Sequence, residues 1–230
     1  MKLVIFDCDG TLVDSQHNIT AAMAHAFETL SLPPPPRHDV LGVVGLSLAE
    51  AFAVLAPNVA PEIRRNLAER YRSVFIDGHL QRTNEPLYAG IRETIRALQA
   101  EGDVALGIAT GKSRRGVARV LEREGWHGAF LTIQTADDHP SKPHPSMILA
   151  AMAEAGVGPE ATVMIGDTAF DMEMARSAAV GAVGVGWGYH DEARLRAGGA
   201  HAIVSDGSDL IGAIQAQFLA QRLGEQESGI

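Results

Sequence analysis

Cysteine is almost absent from this sequence of 230 residues, since Cys8 is the only one. A lone cysteine cannot form an internal disulfide, which is the usual situation in a reducing compartment. Long apolar runs are also missing. No stretch approaches the ~20 residues that span a bilayer, and the first run, Leu3 to Phe6, is too short for the core of a signal peptide. We therefore expect a cytoplasmic protein without membrane contact.

Positive charge is scarce as well. The chain has 19 Lys and Arg against 28 Asp and Glu, which gives a formal net charge of -9. Nucleic acids and anionic membrane surfaces select clustered cations, so neither is expected as a partner. An anionic substrate would need a local device, such as a metal ion, backbone N–H groups or a few placed cations. With 46% hydrophobic and 20% charged residues, the composition is that of an ordinary globular protein.

Short apolar runs alternate with helical patterns over most of the chain. Continuous rather than alternating apolar runs are typical of strands buried on both faces of a parallel sheet. The sequence therefore predicts a doubly wound α/β fold with a Rossmann-like parallel sheet. The predicted strands are 3–6, 104–109, 130–133, 162–165, 182–185 and 202–204, and the predicted helices of this core are 90–100, 114–124, 146–155, 172–179 and 209–223.

One region breaks the alternation. Between the first strand and residue 90, three helical patterns at 18–30, 46–55 and 61–75 follow one another without a strand. The simplest interpretation is an all-helical module inserted after the first strand. We predict an α/β core of residues 1–14 and 82–230 and an α-helical cap of residues 15–81.

Polar clusters follow four of the predicted strands. Ligands of open α/β sheets bind at the carboxyl ends of the strands, so we expect these clusters to meet at one site. The clusters are Asp7-Cys8-Asp9-Gly10-Thr11, Thr110-Gly111-Lys112, Ser141-Lys142-Pro143 and the stretch from Gly166 to Asp171.

Four carboxylates would then share one cleft, and their mutual repulsion favours a bound cation. Mg²⁺ suits oxygen ligands and substrate phosphate. Lys142 and the hydroxyl of Thr110 suit the oxygens of a phosphoryl group. Asp7 is a plausible nucleophile that forms an acyl phosphate, and Asp9 can protonate the leaving oxygen and then activate water. The cofactor expected is Mg²⁺ and the partner a small phosphorylated metabolite.

The four segments resemble the signatures of the haloacid dehalogenase superfamily, and they occur here in the same order. The inserted helices stand where that superfamily carries its small α-helical cap. Among its members, the stretches around residues 86–112 and 163–189 are most similar to phosphoglycolate phosphatases. The segments read FDCDGT, ATGK, SKPHP and GDTAFD.

The resemblance implies a role for each matching residue. Asp7 is the nucleophile and Asp9 the general acid and base. Mg²⁺ is bound by the carboxylates of Asp7 and Asp167 and by the backbone carbonyl of Asp9. Asp171 either binds the metal directly or supports the metal or Lys142 through indirect contacts. The phosphoryl group is bound by Thr110, Gly111 and Lys142, although many relatives carry Asn where Gly111 stands.

The expected function is hydrolysis of a small phosphomonoester, with 2-phosphoglycolate as the best single candidate. A sugar-phosphate mutase, an inorganic pyrophosphatase and a non-turnover phospho-receiver remain alternatives. The protein could be a monomer or a homodimer. His17, Arg37 and Arg82 are candidate substrate contacts near the cap, with an exposed structural role as the equal alternative for each.

Overall fold

The computed structural model describes residues 1–76 and 85–228. Its strands are β1 (Lys2–Phe6), β2 (Val104–Thr110), β3 (Thr132–Thr135), β4 (Thr162–Gly166), β5 (Gly181–Val185) and β6 (Ala202–Val204). They form one sheet in the order β3-β2-β1-β4-β5-β6, and every neighbouring pair is parallel. Strand β1 lies near the centre, where it pairs with β2 on one side and β4 on the other.

Helices cover both faces of this sheet, as a parallel sheet requires. The core helices are α5 (Ile91–Ala100), α6 (Arg114–Glu124), α7 (Ser146–Ala155), α8 (Ala169–Ser177), α9 (Glu192–Gly198) and α10 (Leu210–Ser228). Helices α5, α6 and α10 pack on one face and α7, α8 and α9 on the other. Among the described residues, no helix is long and apolar enough to cross a bilayer.

Strand β1 shows why its apolar run is continuous. Val4 and Phe6 belong to the hydrophobic cluster on one face, and Leu3 and Ile5 belong to the cluster on the other. All four side chains are fully buried. A strand that is apolar on both sides is held between two layers of helices, so its carboxyl end is fixed in place. The doubly wound α/β prediction is confirmed.

The described part of the stretch between β1 and α5 contains four helices and no strand. It contains α1 (Gln16–Thr29), α2 (Arg37–Gly42), α3 (Leu48–Leu55) and α4 (Pro61–Ile76). These helices share a third hydrophobic cluster, in which Phe27 of α1, Phe52 of α3 and Leu67 of α4 are buried. We call residues 15–76 the helical insert. The predicted boundary between residues 81 and 82 lies outside the described residues, so the exact division into core and cap stays a prediction.

The predicted elements differ from the structure in a few places. The third strand occupies Thr132–Thr135 and not 130–133, and α8 begins at Ala169 and not at 172. The short helices α2 and α9 were not predicted at all. Thr168 explains the early start of α8, because its hydroxyl accepts a hydrogen bond from the backbone N–H of Asp171 and caps the helix there.

Candidate active site

The chemistry-bearing residues of the sequence meet at the carboxyl end of the sheet. Asp7 follows β1, Thr110 ends β2 and Asp167 follows β4, while Lys142 comes from the loop between β3 and α7. Each of these side chains is at most 1% exposed. Because β1 lies between β2 and β4, the nucleophile candidate Asp7 stands between the other strand ends. The expected convergence of the four segments is found.

Three carboxylates form the centre of this site. Asp7, Asp167 and Asp171 each present an oxygen atom, and these atoms all lie within 4.8 Å of one another. Burial raises the pKa of Asp7 to about 6; Lys142 opposes this shift and Asp171 adds to it. Burial also raises the pKa of Asp167 well above its usual value, with Asp171 and Asp7 contributing. The cluster therefore carries more negative charge than its surroundings stabilise.

Lys142 offsets part of this charge. Its Nζ atom lies 2.9 Å from Oδ1 of Asp7 and 2.6 Å from Oδ1 of Asp171. Burial acts to lower the pKa of Lys142, but Asp171 and Asp7 outweigh it and raise the pKa above the usual value. Lys142 is therefore a fixed ammonium ion at the edge of the carboxylate cluster, as a group that binds a phosphoryl oxygen should be.

Asp171 uses both of its carboxylate oxygens on the protein. Oδ1 accepts the hydrogen bond from Lys142, and Oδ2 accepts hydrogen bonds from the backbone N–H and the hydroxyl of Thr168, at 3.0 and 2.7 Å. Of the roles left open for Asp171, these contacts show the support of Lys142, and they also stabilise the first turn of α8. The helix-capping role and the site role belong to the same side chain.

The Asp167 carboxylate accepts hydrogen bonds from the turn after β1 and from the loop after β5. The Thr11 hydroxyl donates to its Oδ1 at 2.8 Å, and the backbone N–H of Tyr189 donates to its Oδ2 at 2.9 Å. Gly10 makes this approach possible, since its φ is +87° and a β-carbon there would lie 2.2 Å from Oδ2 of Asp167. Any larger residue at position 10 would displace the carboxylate.

Asp7 is the group best suited to a metal ion. Neither of its buried carboxylate oxygens has a hydrogen-bond partner among the described residues, although Lys142 lies within ion-pair distance. Lys142 compensates only part of the charge of the three buried carboxylates, and the pKa of Asp7 stays raised, so a further cation would stabilise the cluster. The donor set of Asp7 and Asp167 consists of carboxylate oxygens, which Mg²⁺ prefers. The residues present thus fit a hard divalent cation.

Asp9 lies apart from the carboxylate cluster and is paired with Lys112. The Lys112 Nζ atom is 2.7 Å from Oδ1 of Asp9 and 3.4 Å from Oε2 of Glu85. Asn18 of the helical insert donates to the other oxygen of Glu85 at 3.0 Å. Burial acts to lower the pKa of Lys112, while Asp9 and Glu85 together raise it.

This network was missed at the level of sequence. Lys112 belongs to the recognised segment ATGK, which was the available signal, but it received no role. Glu85 stands outside every motif, and only the folded chain brings it to Lys112. Together the side chains of Asn18, Glu85 and Lys112 connect the helical insert to the candidate general acid Asp9.

The helical insert packs over the site. The backbone N–H of Ser47 donates to the Ser141 hydroxyl at 2.8 Å. A β-carbon at Gly111 would lie 2.7 Å from the carbonyl oxygen of Gly45 and 2.9 Å from that of Leu46. The absence of a side chain at position 111 therefore lets residues 45–47 come down onto the second segment. A phosphoryl group at Asp7 would be shielded from bulk water by this contact.

The other residues considered from the sequence lie outside the carboxylate cluster or outside the described residues. Cys8 is buried, as predicted for a small apolar side chain, and burial raises its pKa well above the usual value. His17 is exposed, and Arg37 donates to Gln16 at the protein surface. Neither lines the cavity that contains Asp7. Arg82 lies outside the described residues.

Comparison with known proteins agrees with this geometry. Residues 4–185 match the family described as haloacid dehalogenase-like hydrolase. The chain is 36% identical over 217 residues to a probable phosphatase, IndB, of Dickeya dadantii, covering 93% of this chain and 94% of the relative. It is 30% identical over 196 residues to the pyrophosphatase PpaX of Bacillus pumilus, covering 85% and 88%. It is 31% identical over 193 residues to a phosphoglycolate phosphatase of Pseudomonas putida, covering 82% and 71%.

A solved structure shows the same architecture. The crystal structure of a predicted phosphatase from Clostridium acetobutylicum superposes with a TM-score of 0.84 at 25% identity. The match covers 94% of this chain and 98% of the other, so it includes the helical insert as well as the sheet.

Proposed function

The chain belongs to the haloacid dehalogenase-like hydrolase family, and from that premise we propose that it is a magnesium-dependent phosphatase that cleaves a small phosphomonoester through an aspartyl phosphate on Asp7. That it is a phosphatase follows from the family and from relatives so named. The observation that supports the mechanism best is the Asp7 carboxylate, which is buried, lies 2.9 Å from the Lys142 ammonium and shares one cluster with Asp167 and Asp171.

The first half-reaction needs a nucleophile and an acid. An Asp7 carboxylate oxygen attacks phosphorus while the bond from phosphorus to the leaving oxygen breaks. Asp9 lines the same cavity as Asp7 and donates its proton to the leaving alcohol. Lys142 and the Thr110 hydroxyl hold the non-bridging oxygens, so the charge that moves onto them meets fixed donors.

The second half-reaction releases phosphate. The Asp9 carboxylate, left without its proton, takes a proton from water, and the water oxygen attacks phosphorus. The bond from phosphorus to Asp7 breaks, which restores the Asp7 carboxylate and yields inorganic phosphate. A Mg²⁺ ion held by Asp7 and Asp167, with the backbone carbonyl of Asp9, would supply charge neutralisation for the phosphoryl group. Lys112 keeps the Asp9 side chain in place through both steps.

A panel of phosphate esters tests the proposal. Purified protein with Mg²⁺ is incubated with 2-phosphoglycolate, glycerol phosphate, β-glucose 1-phosphate and pyrophosphate, and free phosphate is measured. 2-Phosphoglycolate is the first candidate because of the resemblance to phosphoglycolate phosphatases, and pyrophosphate is the second because of the likeness to PpaX. An isomerised sugar phosphate without phosphate release would indicate a mutase, and a stable phosphoprotein without turnover a receiver.

The role of Asp7 is tested by Asp7→Asn, which keeps the size of the side chain and removes its charge. Turnover should fall at least 10³-fold, because the amide is a poor nucleophile. The matched control is Asp209→Asn, an exposed position just before α10 that does not line the cavity of Asp7, which should retain wild-type turnover. Residual activity of Asp7→Asn near that of the control would exclude Asp7 as the attacking group.

A further inference from the structure

The site opens into a cavity much larger than a phosphoryl group. A space of about 560 Å³ extends from Asp7, Asp9 and Thr110 into the region between the helical insert and α6. Cavities of this size enclose ligands of drug-like dimensions. The two-carbon leaving group of phosphoglycolate would occupy only the part nearest to Asp7, so the size of the cavity indicates a longer leaving group.

The insert side of this cavity is apolar. Most of the described residues that line it there are aliphatic or aromatic, and six of them, from three parts of the insert, are nearly fully buried. They are Ile19, Met23, Val40, Val43, Val44 and Ala51, and the half-buried Leu46, Leu48, Tyr71 and Phe75 complete this wall.

Some of these side chains lie at the margin of the insert core. Ile19, Met23 and Val44 take part in the hydrophobic cluster of the insert, but Val43, Leu46 and Phe75 are in none of the three clusters of the described residues. Leu46 and Phe75 are half-buried, so part of their apolar surface faces the cavity. Keeping it in contact with water is unfavourable, and an apolar ligand would relieve that cost.

Charged groups on the cavity wall are separated by position. Among the described lining residues, the buried charged ones are Asp7 and Asp9 at the phosphoryl end, with the mostly buried Lys112 beside them. Arg72 and Arg115 line the cavity but are exposed, and the partly buried Arg119 donates a hydrogen bond to the carbonyl of Phe75 at 2.9 Å. A leaving group on the insert side of the cavity would therefore meet mostly hydrocarbon.

We propose that the substrate of this site is a phosphomonoester with an extended apolar leaving group, whose hydrocarbon part lies against Val43, Leu46 and Phe75 while its phosphate lies at Asp7. This rests on the proposed phosphatase function and specifies its substrate class. It gives the cavity one continuous occupant, with the polar end at the strand ends and the apolar end under the insert.

Alkyl phosphates of increasing length test the proposal. Ethyl, n-butyl and n-hexyl phosphate have leaving alcohols of similar basicity, so differences in kcat/KM report binding and not chemistry. Each buried methylene is expected to raise kcat/KM about fourfold. We expect n-hexyl phosphate to exceed ethyl phosphate at least tenfold, with 2-phosphoglycolate as a further reference.

Val43→Asn places an amide on the apolar wall and should reduce the ratio of kcat/KM for n-hexyl over ethyl phosphate at least fivefold. Both values come from one preparation, so the ratio does not depend on how much of the variant is folded. The matched control is Val54→Asn, because Val54 is 59% exposed on α3 and does not line the cavity. It should keep the wild-type ratio.

The outcomes separate the two proposals. If ethyl phosphate or 2-phosphoglycolate is hydrolysed but longer chains bring no gain, the apolar substrate class is wrong and the phosphatase proposal stands. A wild-type ratio in Val43→Asn would also overturn it. If no ester releases phosphate, the proposed function fails and the substrate class fails with it.

Discussion

The buried charge of Asp7 lowers the free energy of unfolding of the metal-free protein. Burial, reinforced by Asp171 and only partly compensated by Lys142, raises its pKa to about 6. A carboxyl group whose pKa is higher in the folded than in the unfolded chain binds its proton more tightly when folded. At neutral pH that proton is lost from both states, so the folded chain carries the full cost of the buried charge.

We therefore expect Asp7→Asn to stabilise the metal-free protein while it abolishes turnover. The gain should be at most about 3 kcal/mol, which is the free energy that corresponds to the raised pKa. Urea unfolding at pH 7.5 with a chelator measures it, and Asp209→Asn serves as the unchanged reference. A variant less stable than wild type would contradict this expectation. It would show that losing the ion pair between Asp7 and Lys142 destabilises the protein more than removing the buried charge stabilises it.

Lys112 is the second residue whose role is decided by its neighbours. It lies between Asp9 and Glu85 with only 12% of its side chain exposed. A double-mutant cycle with Lys112→Met and Glu85→Gln should give a coupling energy of about 1–3 kcal/mol, because each single change leaves a poorly solvated charge without its partner. Urea unfolding of the four proteins measures this coupling.

The control for this cycle is the pair Glu62 and Arg65, which is separated by 3.2 Å but is about two-thirds exposed on both sides. Its cycle should show no measurable coupling, since exposed ion pairs are screened by water. Equal coupling in the two cycles would mean that the Lys112 network contributes nothing beyond a surface contact.

The individual site residues were largely predictable from the sequence. Asp7, Thr110, Lys142 and Asp167 follow predicted strands, and parallel strands bring their carboxyl ends to one edge. Their chemical roles stay predictions. Glu85 could not have been found, because its partner Lys112 is 27 residues away along the chain and their approach depends on how the insert returns to the sheet.

At the scale of elements, the loop after α2 and the turn after β2 are in close contact beside the site. Gly45 and Leu46 of the insert lie against Gly111, where even one β-carbon would come within 2.7 Å of a backbone oxygen. Many relatives carry Asn at this position, so Gly111 departs from the pattern of the family. The structure gives the departure a physical reason, which is the close approach of the insert.

Gly111→Ala should therefore lower kcat/KM about 10- to 100-fold, because a displaced insert loop leaves the reacting groups misplaced. The melting temperature should change little, since Gly111 lies outside the hydrophobic clusters. Gly102→Ala is the matched control, because a β-carbon there has no neighbour within 4 Å. Steady-state kinetics and thermal melts check both, and a wild-type kcat/KM in Gly111→Ala would refute the contact's importance.

Elements with strong apolar patterns were predicted well, and weakly patterned ones were not. Strand β3 is an edge strand, and its residues Thr132 and Gln134 are buried although they are polar. Gln134 donates a hydrogen bond to Thr132 and is hydrogen-bonded to His139. A prediction based on hydrophobicity therefore began this strand two residues too early. Helix α2 has six residues, too few to show a helical period. Tertiary contacts decide such elements, and a single sequence does not reveal them.

At the scale of the whole molecule, the carboxylate cluster makes stability depend on pH and on metal. The folded pKa of Asp7 is raised to about 6, so between about pH 4 and 6 the folded chain holds a proton there that the unfolded chain has lost, and the raised pKa of Asp167 acts in the same direction. Stability without metal should consequently fall as pH rises through this window. Chelator-treated protein, followed by urea unfolding from pH 4 to 7.5, should show the decline.

Added Mg²⁺ should reverse this loss at pH 7.5, by about 2.7 kcal/mol at a hundredfold excess over its dissociation constant. Asp167→Asn should lose most of the magnesium response, and Asp209→Asn should keep it. A magnesium response that is the same in both variants would place the ion elsewhere.

The central position of β1 has a consequence for how the chain reaches its folded state. The sheet partners of residues 2–6 are residues 104–108 and 162–165, which lie far from them along the chain. The insert helices, by contrast, find their contacts within about sixty residues, and such local contacts form faster. Pulse-labelled hydrogen exchange during refolding should protect amides of α1 and α4 before that of Ile5, whereas simultaneous protection would contradict this order. Strand β1, which positions Asp7, would thus join the sheet after the insert helices have formed, so the carboxylate cluster would assemble late in folding.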